Sequence, residues 1–343
     1  MASRLRWLDE SKYSVTSYAD KAAFMEADEL PAGCLTFEVN GVPVDILNSP
    51  APGAASTIFV FHPALSQAVE TLPFFSGQTV TKGAPANRVW IQDPTLYLDD
   101  RLKLSWFAGN RKMDVQGVLT DVIAKLLDVH GSQHAIFFGA SGGGFAAMYY
   151  SRQFPGSLAV ALNPQTNIRL YGKGPVKQYL EYGLGAKPGS EPSTLADYPI
   201  ASDLIREYRK GFPNTIAYVQ NAGDTSHVGR HLRGFIRRFA GNPRVMLYIG
   251  DWGRGHNPPD KDFIQALIVA AVYCFGDWTK LTALGFRASP DLGYADNRLR
   301  QLKEGRAPEP EPRPETTGTF PPRRTQAAVF LGRVLRRARQ KLK

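Results

Sequence analysis

Residues 134–154 read HAIFFGASGGGFAAMYYSRQF. The first seven, His134–Ala140, make a short apolar run with the composition of a buried parallel strand. From Gly142 onward the pattern turns helical. At the junction, Gly139-Ala140-Ser141-Gly142-Gly143 fits G-x-S-x-G, and it does so between a strand and a helix. In that context the serine sits on a sharp, strained turn that exposes its hydroxyl at the helix N-terminus, and small neighbours give it room. The glycines also fit a dinucleotide-binding loop, Gly142-x-Gly144-x-x-Ala147. That fold places an acid near the end of the next strand, whereas SLAVALN (157–163) runs into Asn163-Pro164. No lysine follows the glycines, so a P-loop is excluded. A nucleophile elbow is the preferred reading over a nucleotide loop or a merely structural glycine turn.

The alternation of strand and helix continues outward. Upstream, LTFEV (35–39) and VPVDIL (42–47) flank Asn40-Gly41, the strongest short hairpin signal because a type I′ turn needs φ > 0 at both positions. TIFVFHP (57–63) and NRVWIQDP (87–94) read as buried strands, and 115–131 as a helix stopped by Gly131. Downstream come strand SLAVALN (157–163), strand TIAYVQN (215–221), a helix over 227–241, strand RVMLYIG (244–250) and a helix from Lys261. This order predicts a mostly parallel sheet with right-handed crossovers. Residues 164–213, rich in Gly, Pro and Tyr, break the rhythm and read as a lid or cap.

A nucleophilic serine needs a base, and the base needs an orienting acid. Asp224 follows a predicted strand in NAGDTSHV, and His256 follows the next in DWGRGHNPP. With Ser141 they give the order Ser, Asp, His, all at the carboxyl edge of one parallel sheet, where ligands bind in open α/β folds. Asp251 is the rival acid, with a loop-stabilising role as its alternative. His227 and His231, four apart, have metal-ligand spacing but no evident third ligand; the apolar face of their helix is Val228, Leu232, Phe235, Ile236 and Phe239, and the histidines read as flanking that face. No metal and no cofactor are expected. Cys34 and Cys274 read as inert. For the oxyanion hole, one N–H should be that of Gly142. The other should come from His62-Pro63-Ala64-Leu65: Pro63 has no N–H, so Ala64 is the first choice and Leu65 the second. His62 reads as a packing residue rather than a catalytic one.

The strand-H-P-A-L loop, the G-A-S-G-G elbow, the G-D-T-x-x-V acid loop and the late Gly-His resemble the α/β-hydrolase superfamily over about residues 34–285. Residues 92–110, QDPTLYLDDRLKLSWFAGN, resemble hydrolase-like proteins of bacterial capsule and surface-polysaccharide assembly or export. Pro63 departs from the superfamily, where a glycine commonly follows the histidine. The resemblance implies an α/β-hydrolase fold: a mostly parallel central sheet with an N-terminal β-hairpin, a lid and a C-terminal tail. The expected layout is an N-terminal extension over 1–33, the hydrolase domain over 34–290 with its lid at 164–213, a C-terminal extension and Pro-rich linker over 291–322, and a basic tail over 323–343. The implied activity is that of a serine esterase or acyltransferase acting on a small-molecule or glycan ester. The alternative is a non-catalytic accessory protein of polysaccharide assembly or export.

Composition bounds these readings. A hydrophobic content of 43% in 343 residues suffices for a large core. Eight of the ten net positive charges fall in Arg323–Lys343, which leaves the remainder near neutral at +2 and argues against a broad nucleic-acid surface. In that tail, Leu331, Leu335, Ala338 and Leu342 form an apolar stripe among arginines and lysines, the pattern of a helix lying on an anionic membrane surface. Two cysteines make no disulfide framework, MASRLRWLDESKYS has no apolar signal-peptide core, and the apolar run Ile264–Phe275 is too short to span a bilayer. A cytoplasmic location, with peripheral attachment to the inner membrane face, is therefore expected.

Overall fold

The computed structural model describes residues 4–305. The Pro-rich linker after residue 305 and the basic tail over 323–343 lie outside the described residues. Ten strands form one sheet: β1 (Val15–Ser17), β2 (Gly33–Val39), β3 (Val42–Ser49), β4 (Ser56–Phe61), β5 (Asn87–Ile91), β6 (His134–Ala140), β7 (Leu158–Leu162), β8 (Thr215–Asn221), β9 (Val245–Gly250) and β10 (Arg287–Ala288). Their spatial order is β10-β9-β8-β7-β6-β4-β5-β3-β2-β1. The run from β5 through β4, β6, β7 and β8 to β9 is parallel throughout. The β2–β3 hairpin is antiparallel and turns at Asn40 (φ 51°) and Gly41 (φ 70°), as type I′ geometry requires.

Period-two alternation assigns each central strand a residue set for each face. Ile58 and Val60 of β4, with Ile136 and Phe138 of β6, pack with Ile264, Leu267, Ile268 and Ala271 of the helix Lys261–Tyr273. Phe59 and Phe61, with Phe137, pack on the opposite face with Val118, Leu119, Val122 and Ile123 of the helix Val115–Val129. That helix starts where the Asp114 carboxylate accepts the Gly117 N–H at 3.0 Å, and the chain turns away at Gly131 (φ 59°). Strands buried on both faces explain why β4, β6 and β7 read as continuous apolar runs.

Residues 164–213 hold no strand of this sheet. They fold into short helical turns whose Ile168, Tyr179, Leu180, Leu195 and Leu204 pack on Leu104, Trp106, Phe145 and Met148. At the far end, β1 adds to the hairpin edge, and Phe24 of the short helix Lys21–Glu26 is fully buried. No helix among the described residues is long and apolar enough to cross a membrane.

Candidate active site

Ser141 joins β6 to the helix Gly142–Gln153 with φ 56° and ψ −116°, a conformation an L-residue adopts only under constraint. The constraint is steric. A Cβ on Gly139 would lie 2.1 Å from the Gly143 carbonyl oxygen, and one on Gly143 would lie 2.3 Å from the Phe61 carbonyl oxygen. The helix therefore meets the ends of β6 and β4 through backbone alone, which is why the turn takes glycines on both sides of the serine.

Asp224 follows β8 and caps the next turn: its Oδ1 accepts the His227 N–H at 3.1 Å. Its Oδ2 accepts from His256 Nδ1 at 2.5 Å. Burial works against the charge on Asp224, but the close imidazoles of His227 and His256 and the His227 backbone N–H outweigh it and hold the carboxyl well below its ordinary range. The base is therefore oriented with its Nδ1 proton on the carboxylate and its Nε2 available as acceptor. The His256 side chain is 38% exposed, on the solvent side of the acid.

Two buried asparagines hold the loop that carries His256. Asn221 Nδ2 donates to the Gly253 and Gly255 carbonyls at 2.9 and 3.0 Å, while its Oδ1 accepts the Gly223 and Trp252 N–H groups. Asn163 Nδ2 donates to the Asn257 carbonyl at 2.8 Å, and its Oδ1 accepts the Asn221 N–H at 2.7 Å. The strands β7 and β8 thus fix the histidine loop through their terminal amides.

The serine hydroxyl has a partner that sequence reasoning did not find. Gln165 Nε2 donates to Ser141 Oγ at 2.9 Å, and the Trp106 indole N–H donates to Gln165 Oε1. No hydrogen bond joins Ser141 Oγ to His256 in this structure; such contacts commonly tighten only when substrate is bound. Trp106 is itself held from below. The buried Asp93 carboxylate accepts Ser105 Oγ and the Phe107 N–H, both at 2.7 Å, and the Thr95 N–H at 3.1 Å. It thereby braces a segment in which Trp106 and Phe107 both have positive φ. Burial pushes the Asp93 carboxyl up to about 6, against the pull of these donors. Asp93→Asn should turn an amide N–H₂ toward at least one of them. We expect a cost of about 2–4 kcal/mol, seen by calorimetry as a Tm lower by several degrees; an unchanged Tm would show that the carboxylate does not brace the loop.

The oxyanion loop follows β4. Leu65 N–H donates to the Lys103 carbonyl at 2.8 Å, so the second choice for the oxyanion donor is already engaged. Ala64 N–H donates to no protein group among the described residues. His62 packs 4.9 Å from Phe107 (ring centroids), bonds the Pro63 carbonyl through Nδ1, and accepts the Asp93 N–H at Nε2. Burial pushes it down to about 4, so it stays neutral and secures the loop, in line with a packing role.

His227 and His231, expected beside the apolar face of their helix, are themselves buried, at 4% and 1% exposed. A wide turn over Val228–Leu232 rotates the chain relative to a regular helix and points both rings inward. His231 Nδ1 accepts the Thr166 N–H at 3.2 Å, and the His227 ring stacks on His256 with centroids 4.0 Å apart. Asp251, by contrast, is exposed, and its Oδ1 accepts the Gly253 N–H two residues on.

No family model matches the sequence, and no curated protein sequence matches it. Solved structures do. The capsule O-acetyltransferase of Neisseria meningitidis serogroup A superposes with a TM-score of 0.50 at 16% identity, over 76% of this chain and 98% of that one. A glycosylation-associated protein complex from Streptococcus agalactiae matches with a TM-score of 0.47 at 16% identity, over 63% of this chain; the match spans 42% of that chain. An S-formylglutathione hydrolase from Agrobacterium tumefaciens matches with a TM-score of 0.45 at 13% identity, over 71% and 97% of the two chains. At such identities the likeness concerns the fold. With the strand order and the strained serine turn, it gives this chain the α/β-hydrolase fold.

Proposed function

We propose that the chain is a serine esterase or acyltransferase with Ser141 as nucleophile, His256 as base and Asp224 as the orienting acid. The observation that carries this reading is the 2.5 Å contact between Asp224 Oδ2 and His256 Nδ1 at the same sheet edge as the strained Ser141. In the first half-reaction Ser141 Oγ attacks the ester carbonyl and its proton passes to His256 Nε2. The N–H groups of Gly142 and Ala64 receive the developing oxyanion. The C–O bond then breaks, the leaving alcohol takes the proton from His256, and the acyl group remains on Ser141. In the second half-reaction a hydroxyl gives its proton to His256 and attacks the acyl carbonyl, which frees the serine. Water as acceptor gives hydrolysis; a sugar hydroxyl gives transfer. The likeness to a capsule O-acetyltransferase supports an O-acyl group on a glycan as substrate, with the weight that fold analogy carries.

A second reading keeps the fold without catalysis, as an accessory protein of glycan assembly. The hydrogen bond of Ser141 Oγ to Gln165, in place of His256, favours it. Labelling with a fluorophosphonate probe separates the two, because only an activated serine reacts. Gln165 supplies a finer test. Gln165→Leu removes the donor to Oγ, and if that bond supports the reacting oxygen, the labelling rate should fall about tenfold, the worth of one hydrogen bond. A faster rate in Gln165→Leu would mean that the amide restrains the serine instead.

A further inference from the structure

The serine chemistry leaves one buried group without a task. His227 is 4% exposed, and neither of its ring nitrogens has a hydrogen-bond partner among the described residues. Buried side-chain polar atoms without partners are uncommon in folded proteins. Its Nδ1 lies 2.9 Å from Asp224 Oδ2, off the line of a hydrogen bond, and its ring lies against that of His256 with an interplanar angle of 15°. One ligand atom each from Asp224, His227 and His256 falls within 4.8 Å of the others. Two imidazoles and a carboxylate are the donor set of zinc and its borderline-soft neighbours, and the exposed side of His256 offers a path of entry.

We propose that Asp224, His227 and His256 form a binding site for a zinc-class divalent ion, overlapping the triad. Ligand bonds of about 2.0–2.1 Å in a tetrahedral site place ligand atoms roughly 3.3 Å apart. The 2.5 and 2.9 Å contacts to Asp224 Oδ2 must therefore open by several tenths of an ångström. His256, exposed on a loop beside Gly255, is the member able to withdraw. An ion held at His256 Nδ1 moves the imidazole proton to Nε2 through solvent. That tautomer cannot accept the Ser141 proton, so the bound ion switches the serine off reversibly. This consequence rests on the proposed hydrolase mechanism; the site itself rests on geometry alone.

The test is titration of the chelator-treated full chain with zinc by calorimetry near neutral pH. One ion should bind per chain, and His256→Gln and His227→Gln should each weaken binding at least tenfold, while His134→Gln, outside the cluster, should not. His256 is exposed, so its variant remains informative if the buried His227 variant does not fold. Fluorophosphonate labelling of the wild type should stop with zinc and return with EDTA. Absence of zinc binding, or equal binding by wild type and His256→Gln, would overturn the proposal. Zinc binding that depends on His256 in a chain whose serine never labels would support the metal site and count against the hydrolase reading instead.

Discussion

Ser141→Ala is expected to abolish fluorophosphonate labelling and to lower ester turnover by about 10⁴–10⁶-fold, the range seen when a triad nucleophile is removed. The substitution takes away the one oxygen that can form the acyl-enzyme and leaves the scaffold intact. The backbone at 141 keeps the same strain, because Cβ is retained and the turn is set by Gly139 and Gly143 against the carbonyls of Gly143 and Phe61. What the fold loses is the Gln165 hydrogen bond, on the order of 1–3 kcal/mol for the amide left behind. That loss lowers Tm by a few degrees and does not unfold a domain of this size. Loss of labelling with a folded variant therefore assigns the chemistry to Oγ. Equal labelling of wild type and Ser141→Ala would place the reactive group elsewhere and end the serine reading.

The fold was legible because its signals are local. The apolar runs at 57–63, 134–140 and 157–163 are strands buried on both faces, and Asn40-Gly41 states its own turn type. The placement of Ser141, Asp224 and His256 was legible for a related reason: each follows a parallel strand, and such strands end on one edge. What stayed hidden depends on contacts between distant segments. Trp106 and Gln165 are 59 residues apart, and Asn221 reaches Gly255 across 34. No spacing rule points from one to the other, although a polar Asn at the ends of VALN and YVQN, where each strand meets the site, is a usable signal. The burial of His227 and His231 was not legible either, because helical periodicity assumes a regular helix, and the turn at Val228–Leu232 is not one.

Asp224→Asn is expected to cost about 10⁴ in kcat, while Asp251→Asn stays within a few-fold of wild type. The two carboxyls follow neighbouring strands, and their hydrogen bonds separate them. Asp224 Oδ1 accepts the backbone N–H of His227. An asparagine there must keep its carbonyl oxygen on that N–H, which turns its N–H₂ toward His256 Nδ1, where Oδ2 stood. The amide donates where the carboxylate accepted, so His256 takes its proton on Nε2 and cannot deprotonate Ser141. The neighbouring N–H thus forces the wrong tautomer and blocks the harmless amide flip. Asp251 faces solvent, and its Oδ1 accepts only the Gly253 N–H, a role that an asparagine oxygen fills equally well. Steady-state turnover of a soluble ester by the two variants, with Tm measured alongside, reads this directly. A crippled Asp251→Asn beside a mild Asp224→Asn would reverse the assignment of the acid. Two equally mild variants would mean that His256 needs no carboxylate and would remove the triad from the mechanism.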